Sequence, residues 1–257
     1  MSLVHLISAN ARMEFIELKR YLPNTIAMFL TFYIIFLAMF FGINVIGDPQ
    51  HAETNIQYGI VNMVFWFLTM MTLSNIGFTI TLEATRGTLE QLYMSPYGVW
   101  RILLARFIGY LLINSVIVIL LLLTTMLTAN QWLNLQPHIV VPLLFLTIIG
   151  IIGIGFMIAG MTVIFKQMSA FLQILQFILM GLAFVPLSIA PFLVLAPFVK
   201  GFDMVREVMI HGYTWSHFTA ADLSILIVNS LVYLIIGVLV YLKCEKVAMT
   251  KGLIGNY

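Results

Sequence analysis

The stretch IVVPLLFLTIIGIIGIGFMIAGMTVIF, from Ile139 to Phe165, holds no charged residue, and its reading decides the fold. A helix needs about 20 apolar residues to cross a ~30 Å hydrocarbon layer, and this run exceeds that. It is continuously apolar rather than alternating, which speaks against a barrel strand. Five more charge-free runs of comparable length occupy 24–46, 58–82, 108–129, 169–199 and 223–242. The sequence therefore predicts an all-α polytopic membrane protein, a single transmembrane domain over 1–257 with six transmembrane helices. Composition agrees: 62% of residues are hydrophobic and 9% charged, whereas a soluble domain is about half apolar and a quarter charged. The net charge of +2 gives no reason to expect nucleic acid as a partner. The single cysteine, Cys244, excludes a disulfide within one chain.

Positive charge sets orientation, and acidic residues barely count. Alternating from an inside N-terminus, the cytoplasmic segments hold Arg12, Lys19, Arg20, Arg86, Arg101, Arg106, Lys166, Lys243, Lys246 and Lys251. The outer loops hold only Lys200 and Arg206. Both termini are expected inside. The first run is not a cleavable signal peptide, being too long and lacking a small-residue cleavage site after it.

Three segments outside the plain spans carry structure. In 1–22, Leu3, Ile7, Ala11, Phe15, Leu18 and Leu22 repeat at helical spacing while Arg12, Lys19 and Arg20 lie off the stripe. That pattern predicts an amphipathic helix along the cytoplasmic interface, compatible with docking on the protein's own core. In the 83–100 loop, Thr88 and Gln91 have capping-box spacing, Leu89, Leu92 and Tyr93 share one side, and Ser95-Pro96 stops the turn. A short helix there suits either a partner's groove or a membrane-surface turn. In the fifth run, Pro186, Pro191 and Pro197 rule out a continuous helix past about Phe184, so 169–199 is a broken span whose end bends or re-enters near the outer leaflet. An outer amphipathic helix over 198–211 follows, with Asp203 and Arg206 one turn apart, and 243–257 forms a cytoplasmic tail.

Much chemistry is missing from the sequence. It has no GxxxxGK[ST] phosphate loop and no HExxH pair. No ionisable residue lies inside an assigned span, where proton- and ion-coupled carriers generally need one. The five histidines are too dispersed to read as a metal site. The chain is therefore not expected to be an enzyme, and energy for any uphill transport must come from elsewhere.

The string EATRGTLEQL, Glu83 to Leu92, followed by Ser95 and Pro96, resembles the cytoplasmic loop of the ABC-2 type permeases, the membrane subunits of ATP-binding-cassette exporters. Ala196-Pro197-Phe198 with Asp203 and Arg206 resembles the family's outer segment, although Ala196 stands where Asn is frequent, and the tail from Glu245 to Tyr257 is also similar. The resemblance implies that the loop holds a coupling helix seated in an ATPase subunit. Leu89, Leu92 and Tyr93 would then fill the ATPase groove, with Glu83, Arg86 and Glu90 making polar contacts around it and Thr88, Ser95 and Pro96 completing the motif. It further implies two permease chains, identical or related, paired with two ATPases. ATP and magnesium would be bound by those partners and no cofactor by this chain. The setting implied is among the lipids of a bacterial cell membrane. The substrate class is amphipathic or lipid-like: a drug, lipid, peptide or glycan-linked lipid.

Asn62, Phe65, Thr69 and Thr72 share an arc of the second span, and Gln173, Gln176 and Met180 a face of the fifth. The resemblance places both spans beside the exit path, so these faces either line it or bond helices together. A different class of function, a non-transporting scaffold that recruits a cytoplasmic partner through the same loop, remains the alternative.

Overall fold

The computed structural model describes residues 3–46, 51–85, 88–96, 98–165 and 168–251, and no strand occurs among them. In chain order the helices are α1 (Leu3–Arg20), α2 (Leu22–Ile46), α3 (Ala52–Thr85), α4 (Leu89–Tyr93), α5 (Val99–Ala129), α6 (Pro137–Phe165), α7 (Ser169–Phe184), α8 (Val199–His211) and α9 (Ala220–Thr250). Short 3₁₀ turns at Pro191–Leu195 and Trp215–His217 flank α8.

Five of these helices, α2, α3, α5, α6 and α9, are long and apolar enough to cross a membrane. The expected fifth span differs. Its helical part, α7, has 16 residues, about 24 Å at 1.5 Å per residue, which is short of the hydrocarbon thickness. Pro186 follows at once, and the chain continues through turns. The tail differs too: α9 runs on to Thr250, so the first part of 243–257 is helical, and 252–257 lie outside the described residues.

α3 is the central post. Of its membrane-length window 78% is buried, against 11% for α2 and 17% for α9. Around it pack α2, α5, α6, α7 and α8. Lipid offers no hydrophobic drive between helices, so close packing and interhelical bonds must hold them. The α6–α9 seam shows this most plainly. A methyl added to Gly153 would collide with the Tyr233 carbonyl, and one added to Gly237 with the carbonyl of Gly153. Backbone touches backbone there. The Gly155–Ala159 spacing signals close packing from sequence, and two residues earlier Gly153 meets the α9 backbone.

α1 lies on α5, where an ideal Cβ on Gly109 would sit 2.8 Å from the Ala11 amide nitrogen. Its inward face is Ile7, Asn10, Ala11, Glu14 and Leu18, whereas Phe15 and Leu22 of the anticipated stripe are exposed. The helix therefore docks on a face rotated from the apolar stripe, leaving large apolar residues uncovered.

At the other end of the bundle, the segment after α7 satisfies its carbonyls through α9. Asn229 Nδ2 donates to the Val194 and Ala196 carbonyls at 2.9 and 3.2 Å, and Tyr233 donates to Leu195 at 3.2 Å. Phe198 takes a left-handed φ of 57°, turning the chain into α8. A buried phenylalanine adopts that conformation only where packing compels it; here its ring lies 5.1 Å from Phe202.

Candidate functional site

Two constellations stand out, one at each end of α3. The first is the loop between α3 and α5. Glu83, in the last turn of α3, accepts from Arg106 Nη1 at 2.5 Å. Its carboxylate also receives the Thr88 hydroxyl, and its carbonyl accepts from the Thr88 amide at 2.9 Å. Thr88 thus points back to Glu83 rather than forward to cap α4 at Gln91. Leu92 is buried in a cluster with Ile80, Ile102, Phe107 and Tyr241. The Tyr93 hydroxyl lies 3.4 Å from that of Tyr241 on α9. Gly98, at a φ of 73°, turns the chain into α5.

This arrangement divides the residues expected to meet an ATPase. Glu83, Thr88, Leu92 and Tyr93 bond or pack within the chain, and Ser95 donates its amide to Leu92 at 3.3 Å. Gln91, Met94 and Pro96 project outward, with Met94 75% exposed. Arg86 lies outside the described residues, as do the side chains of Leu89 and Glu90. Trp100 and Arg101, stacked at 5.2 Å, extend the exposed surface. Sequence reasoning assigned Arg106 a part only in the orientation bias, and Met94 none. A lone arginine and a lone glutamate at the same edge of consecutive helices were the available signal for the ion pair.

The second constellation locks α8 to α3. Arg206 is 2% exposed. Its Nε donates to Asn62 Oδ1 and its Nη2 to the Ala183 carbonyl, both at 3.0 Å, while Nη1 meets Asp203 at 3.3 Å. The ring of Tyr58 lies 5.8 Å from the guanidinium. Burial lowers the arginine's affinity for its proton, and Asp203 opposes that shift. One turn further along α3, Phe65 stacks on Phe202 with centroids 4.3 Å apart. Lys200 ties α8 to Asp222 of α9 at 2.7 Å.

The candidate pathway residues differ in burial. Asn62, Phe65, Thr69 and Thr72 are buried inside the bundle, and Thr69 bonds back to the Phe65 carbonyl at 2.8 Å. Gln173 of α7 faces outward, while Gln176 and Met180 are half-buried. α7 packs against α3, and Arg206 bridges the two through Asn62 and the Ala183 carbonyl.

No cluster of three or more metal-ligating side chains occurs among the described residues. Nothing among curated proteins or solved structures matches the chain. A family model, described as ABC-2 family transporter protein, matches residues 46–239. That span runs from the end of α2 into α9 and includes both constellations except Tyr241. The chain belongs to the ABC-2 transporter family, as the multi-pass permease component of an ATP-binding-cassette exporter whose ATPase is a separate subunit.

Proposed function

We propose that this permease exports an amphipathic or lipid-like molecule, driven through the α4 loop by a cytoplasmic ATPase. The observation that carries the reading is the division of that loop into anchored and projecting side chains. Leu92 and Tyr93 root it in the core, and Glu83 clamps it to α5 through Arg106. Met94, Gln91 and Pro96 are left as the face a partner can grip. A force applied to that face passes into α3, α5 and α9 as one body, the rigid-body coupling such a transition requires. ATP and magnesium act on the ATPase.

Two permease chains, each with its own ATPase, complete the pathway. An exposed glutamine on an apolar helix needs a polar partner in lipid, and α7 of a second chain supplies one to Gln173. In this arrangement α7, prolonged by the turns up to Pro197, serves as the remaining crossing. The 86–98 loop then lies on the cytoplasmic side of a bacterial cell membrane, the side to which the Lys and Arg bias assigns it.

Met94→Asp tests the reading. With its ATPase, the variant inserts normally and retains basal ATP hydrolysis, but loses transport. Wild-type transport by Met94→Asp would refute the gripping face, whereas a wild-type chain that binds the ATPase but moves no substrate would favour a scaffold.

A further inference from the structure

The outward side of α1 is unaccounted for by the permease reading. α1 already covers α5 with its inner face, yet Met13, Phe15, Ile16, Tyr21 and Leu22 remain exposed. Among them lies an open groove of about 520 Å³ where Met13 and Ile16 sit beside Arg12, Arg20 and Tyr21. Arg20 leans over the Tyr21 ring at 5.8 Å, which holds its guanidinium at the rim. Glu17 also borders the groove, but no ion pair joins it to Arg12 or Arg20 among the described residues. Lys19 is exposed on the same helix.

An apolar floor beside two uncommitted guanidiniums is complementary to one kind of molecule at a membrane surface. Acyl chains cover the floor, and a phosphate accepts the forked donors of arginine. A basic amphipathic helix at the interface gains affinity from both. We propose that the α1 groove is a binding site for the headgroup of an anionic phospholipid, with Arg12 and Arg20 holding the phosphate. The site rests on α1 lying along the membrane surface and is independent of how the α4 loop engages an ATPase.

The test uses the full-length chain purified in a neutral detergent. Short-chain phosphatidylglycerol, short-chain phosphatidylcholine and inorganic phosphate are titrated separately, with occupancy read by native mass spectrometry. Phosphatidylglycerol is expected to bind about tenfold more tightly than phosphatidylcholine, a preference that shrinks with added salt. Inorganic phosphate, lacking acyl chains, binds weakly. The Arg12→Gln/Arg20→Gln pair abolishes the preference, while Arg12→Lys/Arg20→Lys retains part of it. Equal binding of the two lipids by the wild type overturns the proposal without needing any variant. So does a preference that survives in the Gln pair. If the Gln pair instead releases the ATPase with lipid preference intact, the groove is a protein contact and the lipid assignment fails. None of these outcomes alters the Met94 experiment.

Discussion

Arg106 reaches 2.5 Å from Glu83 across a connection that spans 23 positions, joining the end of α3 to the start of α5 beside the α4 loop. Both side chains are partly enclosed, at 22% and 15% exposure, so the pair is worth more than a free surface bridge and less than a fully buried one. Reversing either charge alone leaves two like charges facing each other. Glu83→Arg or Arg106→Glu should each lose transport, whereas the swapped double variant should regain part of it. A double-mutant cycle on thermal stability should return a coupling of about 1 kcal/mol. Additive single effects would show that the pair does not hold the loop.

Glu14 gives α1 a pH dependence. Burial between the helices raises its carboxyl from 4.5 to about 7, the charge of Glu17 adds to the rise, and Arg106 opposes it. Tyr110 also faces it from α5. A carboxyl that holds its proton more tightly when docked favours docking fully below the unperturbed value, and that advantage disappears as pH rises through about 7. Amide hydrogen exchange in α1, corrected for intrinsic rates, should accelerate from about pH 6 to about pH 8. Glu14→Gln should flatten this response; the same acceleration in that variant would assign it to another group.

At the α8 end, Asn62 and Thr72 should behave in opposite ways despite lying on one face of α3. Asn62→Leu removes an acceptor from the buried Arg206 guanidinium and should cost about 2–4 kcal/mol. Thr72 is fully buried and its hydroxyl has no hydrogen-bond partner, so Thr72→Val should be neutral or stabilising. Thermal unfolding in detergent measures both. A loss of transport by stable Thr72→Val would restore a pathway role to that face.

Five membrane-length helices and their order were legible because charge-free length is a direct consequence of crossing lipid. Pro186 likewise announced the end of α7 at Phe184. The ambiguity lay in faces. Asn62 and Thr69 on an apolar helix signal either a conduit or an interhelical bond, and periodicity alone offers no arbiter. The structure shows Asn62 bonded to Arg206, 144 positions away in sequence. In the same way, Leu92 and Tyr93 share a side of α4, but only the fold shows that side turned toward Ile102 and Tyr241. Patterns of 3.6 residues reveal that a face is distinctive; long-range contacts decide what it faces.

Gln173 tests the second permease chain. In a Cys244→Ser background, Gln173→Cys in native membranes should form a disulfide-linked dimer on mild oxidation. Ile225→Cys, exposed on α9, serves as a comparison and should cross-link far less. Equal yields at the two positions would remove α7 from the interface.

Met94 is expected to stand against the ATPase. With cysteine at 94 in the Cys244→Ser background and the ATPase subunit present, a short bifunctional cross-linker should join the two chains. Yield should change when ATP is added, because the loop moves with its motor. Cross-linking at 94 to lipid or to nothing, with the ATPase bound and active, would contradict the account.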